Sequence, residues 1–337
     1  MQPSQDPEAA KAAASQFRSV HTKIKQEVQR VIVGQEKVID AVLTALLVGG
    51  HLMLEGVPGL GKTILVRSLG EAVDVKFSRI QFTPDMMPAD IQGTSVLVDA
   101  EGGGHEVRFQ EGPLVANLVL ADEINRATPK TQSALLEAMQ EKQITVGRRT
   151  IKLEEPFCVM STQNPIEQEG TYPLPEAQLD RFLFKVIVDY PKVNEYRPIL
   201  DRTTGNEDLH ASKVSTGKEI LEMREIVRSV PVPTHVQDYA VHLVVATQPN
   251  SEFAPAMVNE NVLLGASPRG AQGLLLAGKV QALLAGRYAV SNDDIRAVCA
   301  DVLRHRIIVN FQGHAEGFTP DHVVQNVLEH VQAPANV

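Results

Sequence analysis

The sequence predicts an α/β domain, with a parallel sheet flanked by helices and interrupted by two β-hairpin insertions, followed by an all-α domain. Three observations predict it. Five apolar runs, "HLML", "VKFSRIQF", "NLVLADE", "PFCVMSTQN" and "FLFKVIVDY", alternate with helix-spaced segments, and their near-continuous apolar character suits strands covered on both faces. The first run leads through "EGVPGLGKT" into "ILVRSLGEAV", which reads as strand, glycine-rich loop, helix. Beyond "DYPKVNEYRPILDRTTGNEDLH" the strand signals stop and helical spacing takes over, which puts a domain boundary within residues 195 to 215.

Taken in order, residues 1–16 are polar and acidic and read as a tail. From Phe17 the apolar positions Val20, Ile24 and Val28, then Val38, Ile39, Val42 and Leu46, recur at three and four and predict two helices broken near "VIVGQ". The first strand is expected at His51 to Leu54. "GTSVLVDAEGGGHEVRF", with its tip at Gly102 to Gly104, and "QITVGRRTIKL", turning at Gly147-Arg148, read as the two hairpins. The α/β domain spans 17–205. A helical domain over 206–330 contains "GKEILEMREIVRSV", "HVQDYAVHLVVATQ", "SPRGAQGLLLAGKVQALLAG" and "SNDDIRAVCADVLRHR", and 331–337 form a C-terminal tail.

Composition narrows the function classes. At 337 residues the chain can hold about two domains, and 43% hydrophobic with 22% charged residues is ordinary for a soluble globular protein. A net charge of −9 argues against broad electrostatic binding of nucleic acid, although a local basic groove stays open. Cys158 and Cys299 lie far apart in apolar segments, as buried thiols in a reducing compartment would. The amino terminus lacks the apolar core of a signal peptide and no run approaches a membrane span, so a cytoplasmic protein with no direct membrane insertion is expected. The ten His show no metal-ligand spacing.

Gly56 and Gly61 with Lys62 and Thr63 complete the pattern G-x-x-x-x-G-K-[ST]. The glycines let backbone N–H groups close around phosphates, Lys62 reaches the β- and γ-phosphates, and Thr63 ligates Mg²⁺. "NLVLADEIN" ends a strand in Asp122, placed to hold Mg²⁺, and Glu123, which on a strand points the opposite way and can polarise a water for attack on the γ-phosphate. A water-activating Glu points to hydrolysis rather than transfer to a small molecule, and no Asn-Lys-x-Asp guanine reader is present. Asn164 ends the next strand, either to hold the attacking water or simply to form an Asn-Pro turn. Arg181 either pairs with Asp180 or supplies a cation to a neighbour's γ-phosphate. Ser267 caps a helix with Pro268 first, so Arg269 sits in a first turn where the dipole disfavours a cation. A phosphate would offset that, as would an unrelated carboxylate.

Together "GVPGLGKT", "LVLADEINRA", "STQNPIEQEGTYPLPEAQLDRF" and "SPRG" resemble the MoxR family of AAA+ ATPases, over roughly residues 20 to 315. The resemblance implies an AAA+ P-loop domain followed by an all-α lid. Gly56, Pro58, Gly59, Leu60, Gly61, Lys62, Thr63 and Ile64 would bind ATP, with Val33 and Gly34 of "VIVGQEKVI" at the adenine. Asn164 becomes sensor 1, Arg181 the arginine finger and Arg269 sensor 2, in cis or in trans. The hairpins become the helix-2 insert and the pre-sensor 1 hairpin. It further implies a homo-oligomeric, usually hexameric ring, acting as a chaperone on a protein client and often with a von Willebrand factor A domain partner. Three alternatives remain: the ATPase subunit of a magnesium or cobalt chelatase, stimulated by a chelatase partner; a nucleic-acid motor, stimulated by DNA in a salt-sensitive way; and a switch that binds ATP without turnover.

Overall fold

The computed structural model describes residues 7–99, 104–147, 149–164, 171–205 and 209–332. In chain order the first part comprises α1 (Pro7–Val31), α2 (Glu36–Val48), β1 (Leu52–Glu55), α3 (Lys62–Ala72), β2 (Phe77–Gln81), α4 (Pro88–Gln92), β3 (Gly93–Asp99), β4 (His105–Glu111), β5 (Leu118–Asp122) and α5 (Pro129–Glu141). It continues through β6 (Gln143–Val146), β7 (Arg149–Lys152), β8 (Cys158–Gln163), α6 (Glu176–Leu179), β9 (Phe184–Ile187) and α7 (Val193–Thr203). The second part comprises α8 (Gly217–Ser229), α9 (Thr234–Ala246), α10 (Ala256–Asn261), β10 (Val262–Leu264), α11 (Pro268–Leu284), α12 (Asn292–Leu303), β11 (Ile308–Val309), α13 (Phe311–Ala315) and α14 (Pro320–His330).

The five expected strands form one parallel sheet in the order β2-β5-β8-β1-β9. Alternation along the strands divides the core into two layers. Leu52, Leu54, Leu118, Leu120 and Met160 face α1, α2 and α3, in a layer that continues into the helical second part. Met53, Val119, Ala121 and Val159 face the other layer, under α4 and α5. The sheet is therefore buried on both faces, which explains why its strands read as apolar runs.

Both hairpins form as expected. Strands β3 and β4 pair from Gly93↔Glu111 to Asp99↔His105, and β6 and β7 from Gln143↔Lys152 to Val146↔Arg149. Of the first expected tip only Gly104 lies among the described residues, with Gly102 and Gly103 outside them, as is Arg148 of the second turn. The base of the first hairpin requires glycine: Gly93 has φ +103°, and a Cβ there would lie 2.3 Å from the Gln110 carbonyl oxygen.

One expectation needs correction. The helix expected from Phe17 begins at Pro7, inside the segment read as a tail over 1–16. The buried stripe of Phe17, Val20, Ile24 and Val28 extends back one turn to Ala14, and small alanines carry the helix where large apolar side chains are lacking. The second part is helical as expected, and also carries a short antiparallel ribbon of β10 and β11. Two or three residues per strand are too few to show alternation. Helix α7 went unread because Pro198 interrupts it and it buries none of its residues.

Candidate functional site

Parallel pairing brings the carboxyl ends of β1, β5 and β8 to one edge, on either side of which the strand order reverses. Register sets the level: Leu54 lies opposite Thr162, and Ala121 opposite Ser161. A cavity of about 360 Å³ opens there, lined by Gly56 and the stretch from Pro58 to Ile64 together with Arg79, Gln81, Asp122, Glu123, Thr162 and Asn164. Of the expected site residues, Gly56, Pro58, Gly59, Leu60, Gly61, Lys62, Thr63, Ile64, Asp122, Glu123 and Asn164 all meet in it.

The loop glycines serve different purposes. Gly59 and Gly61 have φ of +84° and +74°, with no other atom near a Cβ position, so conformation selects them. At Gly56 a Cβ would lie 2.8 Å from the Val188 carbonyl oxygen, so there space selects glycine. Lys62 donates to the Gly56 carbonyl at 2.6 Å. Burial pushes its ammonium below the ordinary lysine range, and the carboxylates of Asp122, Glu123 and Glu55 oppose that shift.

Asp122 ends β5, whereas Glu123 has left the strand with φ 57° and ψ 49°. Its direction therefore comes from a left-handed turn, not from the strand alternation expected, and such a conformation in a non-glycine residue is a local cost that sites retain for function. The Thr162 hydroxyl donates to Asp122 Oδ1 at 2.5 Å and accepts the Glu123 amide at 2.9 Å. Arg79 pairs with Asp122 Oδ2 at 2.6 Å, and Gln81 Nε2 and Arg126 donate to Glu123 Oε2 at 2.9 and 3.0 Å. Thr63 and Asp122 supply hard oxygen donors to the cavity, next to the N-terminus of α3, which suits a Mg²⁺–triphosphate.

A second cavity of about 340 Å³ shares Gly59, Leu60, Gly61 and Ile64 with the first and is otherwise largely apolar, with Val33, Tyr190, Tyr196 and Ile199 in its wall. It suits a nucleobase beside a phosphate site. Val33 lines it, and Gln35 ties this segment to the loop by donating to the Leu60 carbonyl at 2.7 Å. Gly34 stands back from the cavity, its Cβ position covered by the Glu195 carboxylate.

Arg181 and Arg269 lie elsewhere. They line a third cavity of about 240 Å³ with Asp180, Gln272, Arg306 and His51, which shares no lining residue with the phosphate cavity. Arg181 donates to the Leu136 carbonyl at 3.1 Å, and of its two readings the salt bridge with Asp180 is not formed, Asp180 pairing instead with Arg306 and Arg269. Asp180 is thus the anion that offsets the unfavourable placement of Arg269 in the first turn of α11.

Sequence reading missed Arg79, Gln81, Thr162, Asp180 and the Tyr190–Tyr196 wall. A signal existed for the first three: Arg79 and Gln81 share one face of β2 by alternation, and Thr162 is a polar residue in a buried strand. Cys158 and Cys299 are buried free thiols, pushed up to about 12 by burial. Among the described residues no helix is long and apolar enough to cross a membrane, and no three His, Cys, Asp or Glu side chains group as a metal site.

Comparison with known proteins agrees with this geometry. The model for the ATPase family associated with various cellular activities (AAA) matches residues 51–184, and that for the AAA lid domain matches 255–327. The chaperone MoxR1 of Mycobacterium tuberculosis is 43% identical, over 97% of this chain and 86% of its own length. The protein MoxR of Methylorubrum extorquens is 29% identical over 96% of this chain and 98% of its own. A solved structure from Cytophaga hutchinsonii superposes with a TM-score of 0.90 at 39% identity, covering 96% of this chain and 98% of that one.

Proposed function

Because the chain belongs to the MoxR family of AAA+ ATPases, we propose that it hydrolyses ATP·Mg²⁺ at sites completed between copies in a homo-oligomeric ring, and that this cycle remodels or activates protein complexes. The observation that carries the composite site is the separation of two half-sites. Lys62, Thr63, Asp122, Glu123 and Asn164 border one cavity, and Arg181 with Arg269 borders another that shares no lining residue with it. One half holds the nucleotide and a water-activating carboxylate, and the other has the guanidiniums that stabilise charge on a transferring phosphoryl group. In a ring, the arginine half of one copy meets the nucleotide half of the next.

Bound Mg²⁺ would neutralise the developing phosphate charge. The chain's own residues would act around it: Lys62 binds the phosphates, Thr63 and Asp122 hold the cation, Glu123 takes the proton of the attacking water, and Asn164 orients that water. The chaperone role rests on likeness to the chaperone MoxR1. A hexamer, a cytoplasmic location, a protein client and a von Willebrand factor A domain partner belong to the same proposal.

The test is ATPase rate for wild type, Arg181→Ala, Glu123→Gln and an equimolar mixture of the two variants. Each variant is expected to lose at least about a hundredfold, and the mixture is expected to regain part of the rate. If Arg181→Ala retains wild-type turnover, or the mixture shows no recovery, the composite site is wrong.

A further inference from the structure

We propose that Asp180 is a positioning residue that holds Arg269 of the lid on the same face as Arg181, so that both guanidiniums are presented together to the nucleotide of a neighbouring copy. This rests on the composite-site reading above.

Asp180 is next to Arg181 in the chain, at the end of α6, and its side chain is only 18% exposed. Its two oxygens divide the work. Oδ1 accepts from Arg306 Nε at 2.9 Å, while Oδ2 accepts from the Ser267 hydroxyl at 2.9 Å, with Arg269 Nη1 at 3.5 Å. Arg306 is itself fixed: 3% exposed, it donates to the carbonyls of Phe182 at 2.7 Å, Asp180 at 3.2 Å and Leu183 at 3.3 Å, and also to that of Val302. A buried guanidinium so enclosed makes moving its carboxylate partner costly, because the charge would be left uncompensated.

From this post the arrangement reaches the lid through one hydroxyl. Ser267 gives its proton to Asp180 and accepts the Arg269 amide at 3.1 Å, so a single side chain both docks and caps the 17-residue α11. The Arg269 guanidinium, 3.5 Å from the carboxylate, is still 47% exposed, so it keeps N–H groups open to solvent. Arg181, Arg269 and Arg306 share their cavity with the single carboxylate of Asp180, and His51, its pKa lowered to about 4 by burial, adds no charge near neutrality. The excess positive charge suits a phosphate from outside the chain.

Steady-state ATPase kinetics and binding of a fluorescent ATP analogue test this in Asp180→Asn, Arg269→Ala, the double variant and Arg181→Ala. Asp180→Asn is expected to lower kcat about tenfold, with KM and analogue affinity within about twofold of wild type. The double variant should be no slower than Arg269→Ala, since coupled residues are not additive. Asp180→Asn mixed with Glu123→Gln should recover activity. If Asp180→Asn unfolds, Ser267→Gly substitutes for it, because glycine is an acceptable cap and Arg306 stays paired; it should show the same fall in kcat at unchanged analogue affinity. Wild-type kcat in Asp180→Asn or, where that unfolds, in Ser267→Gly, multiplicative losses in the double variant, or a loss confined to analogue affinity would overturn the role of Asp180. The composite-site reading itself falls if Arg181→Ala keeps its turnover or its mixture with Glu123→Gln shows no recovery.

Discussion

The Thr162 hydroxyl links the two acidic residues of the site: it donates to the Asp122 carboxylate at 2.5 Å and accepts the Glu123 amide at 2.9 Å. One buried oxygen on β8 thereby sets both the carboxylate that would hold the cation and the turn that aims the one facing the water. Thr162→Val keeps the shape but strips Asp122 Oδ1 and the Glu123 amide of this partner, leaving Asp122 only its pairing with Arg79 through Oδ2. The expected result is about 1–3 kcal/mol less stability and roughly tenfold lower kcat, read by denaturant unfolding and phosphate release. Unchanged kcat with lowered stability would confine Thr162 to the fold.

Two loop glycines should fail in different ways. Gly61→Ala places a methyl where nothing lies within 4 Å but forces a side chain into φ +74°. It should cost about 1 kcal/mol of stability and weaken nucleotide binding. Gly56→Ala drives a Cβ to 2.8 Å from the Val188 carbonyl oxygen, so it should lower the melting temperature further as well as binding. Thermal melts with and without ATP separate the two cases.

Lys62 and Glu123 should separate binding from hydrolysis. Lys62→Ala removes the cation proposed to reach the phosphates and is expected to abolish analogue binding. Glu123→Gln keeps the shape of a side chain that already accepts from Gln81 and Arg126, so binding should persist while turnover falls about a hundredfold or more. Analogue titration beside phosphate release checks both.

Acid should destabilise the fold through two buried histidines. Burial pushes His21 and His51 down from 6.5 to about 4. Below about pH 6.5 the unfolded chain takes up protons that the folded one refuses at these two sites, so their contribution to stability is full above that pH, falls as pH drops toward 4 and is lost below it. Each site contributes up to about 3 kcal/mol over that window. His51 has a further reason to stay neutral, since its Nδ1 accepts the Val159 amide at 2.9 Å while Nε2 faces the Met139 carbonyl at 3.0 Å. His21→Phe, which keeps an aromatic ring beside Phe17, should flatten the pH dependence of the denaturant midpoint between pH 7 and 4.5. An unchanged slope would exclude His21 as a contributor.

The five strands, the phosphate loop and the Asp122-Glu123 strand end were legible because each is a contiguous segment whose own period or residue spacing states its backbone. Legibility ended where partners come from distant strands. Arg79 and Gln81 became site residues only when β2 paired with β5, and Thr162 only when β8 lay between β5 and β1. The destination of Asp180 could not be read either, since its partners Ser267 and Arg306 lie 87 and 126 residues away.

Local residue patterns thus specified the parts: a glycine-rich loop of phosphate-wrapping spacing, a strand run closing on two carboxylates, and an arginine entering the first turn of a helix. Tertiary structure decided which of these face one another. It put Glu123 in a left-handed turn, gave Arg269 a carboxylate within its own chain, and placed Arg181 and Arg269 together in a cavity apart from the phosphate cavity. The physical reason is that backbone preference and hydrophobic period are set by near neighbours, whereas strand order and ion pairing are set by packing the whole chain around one core.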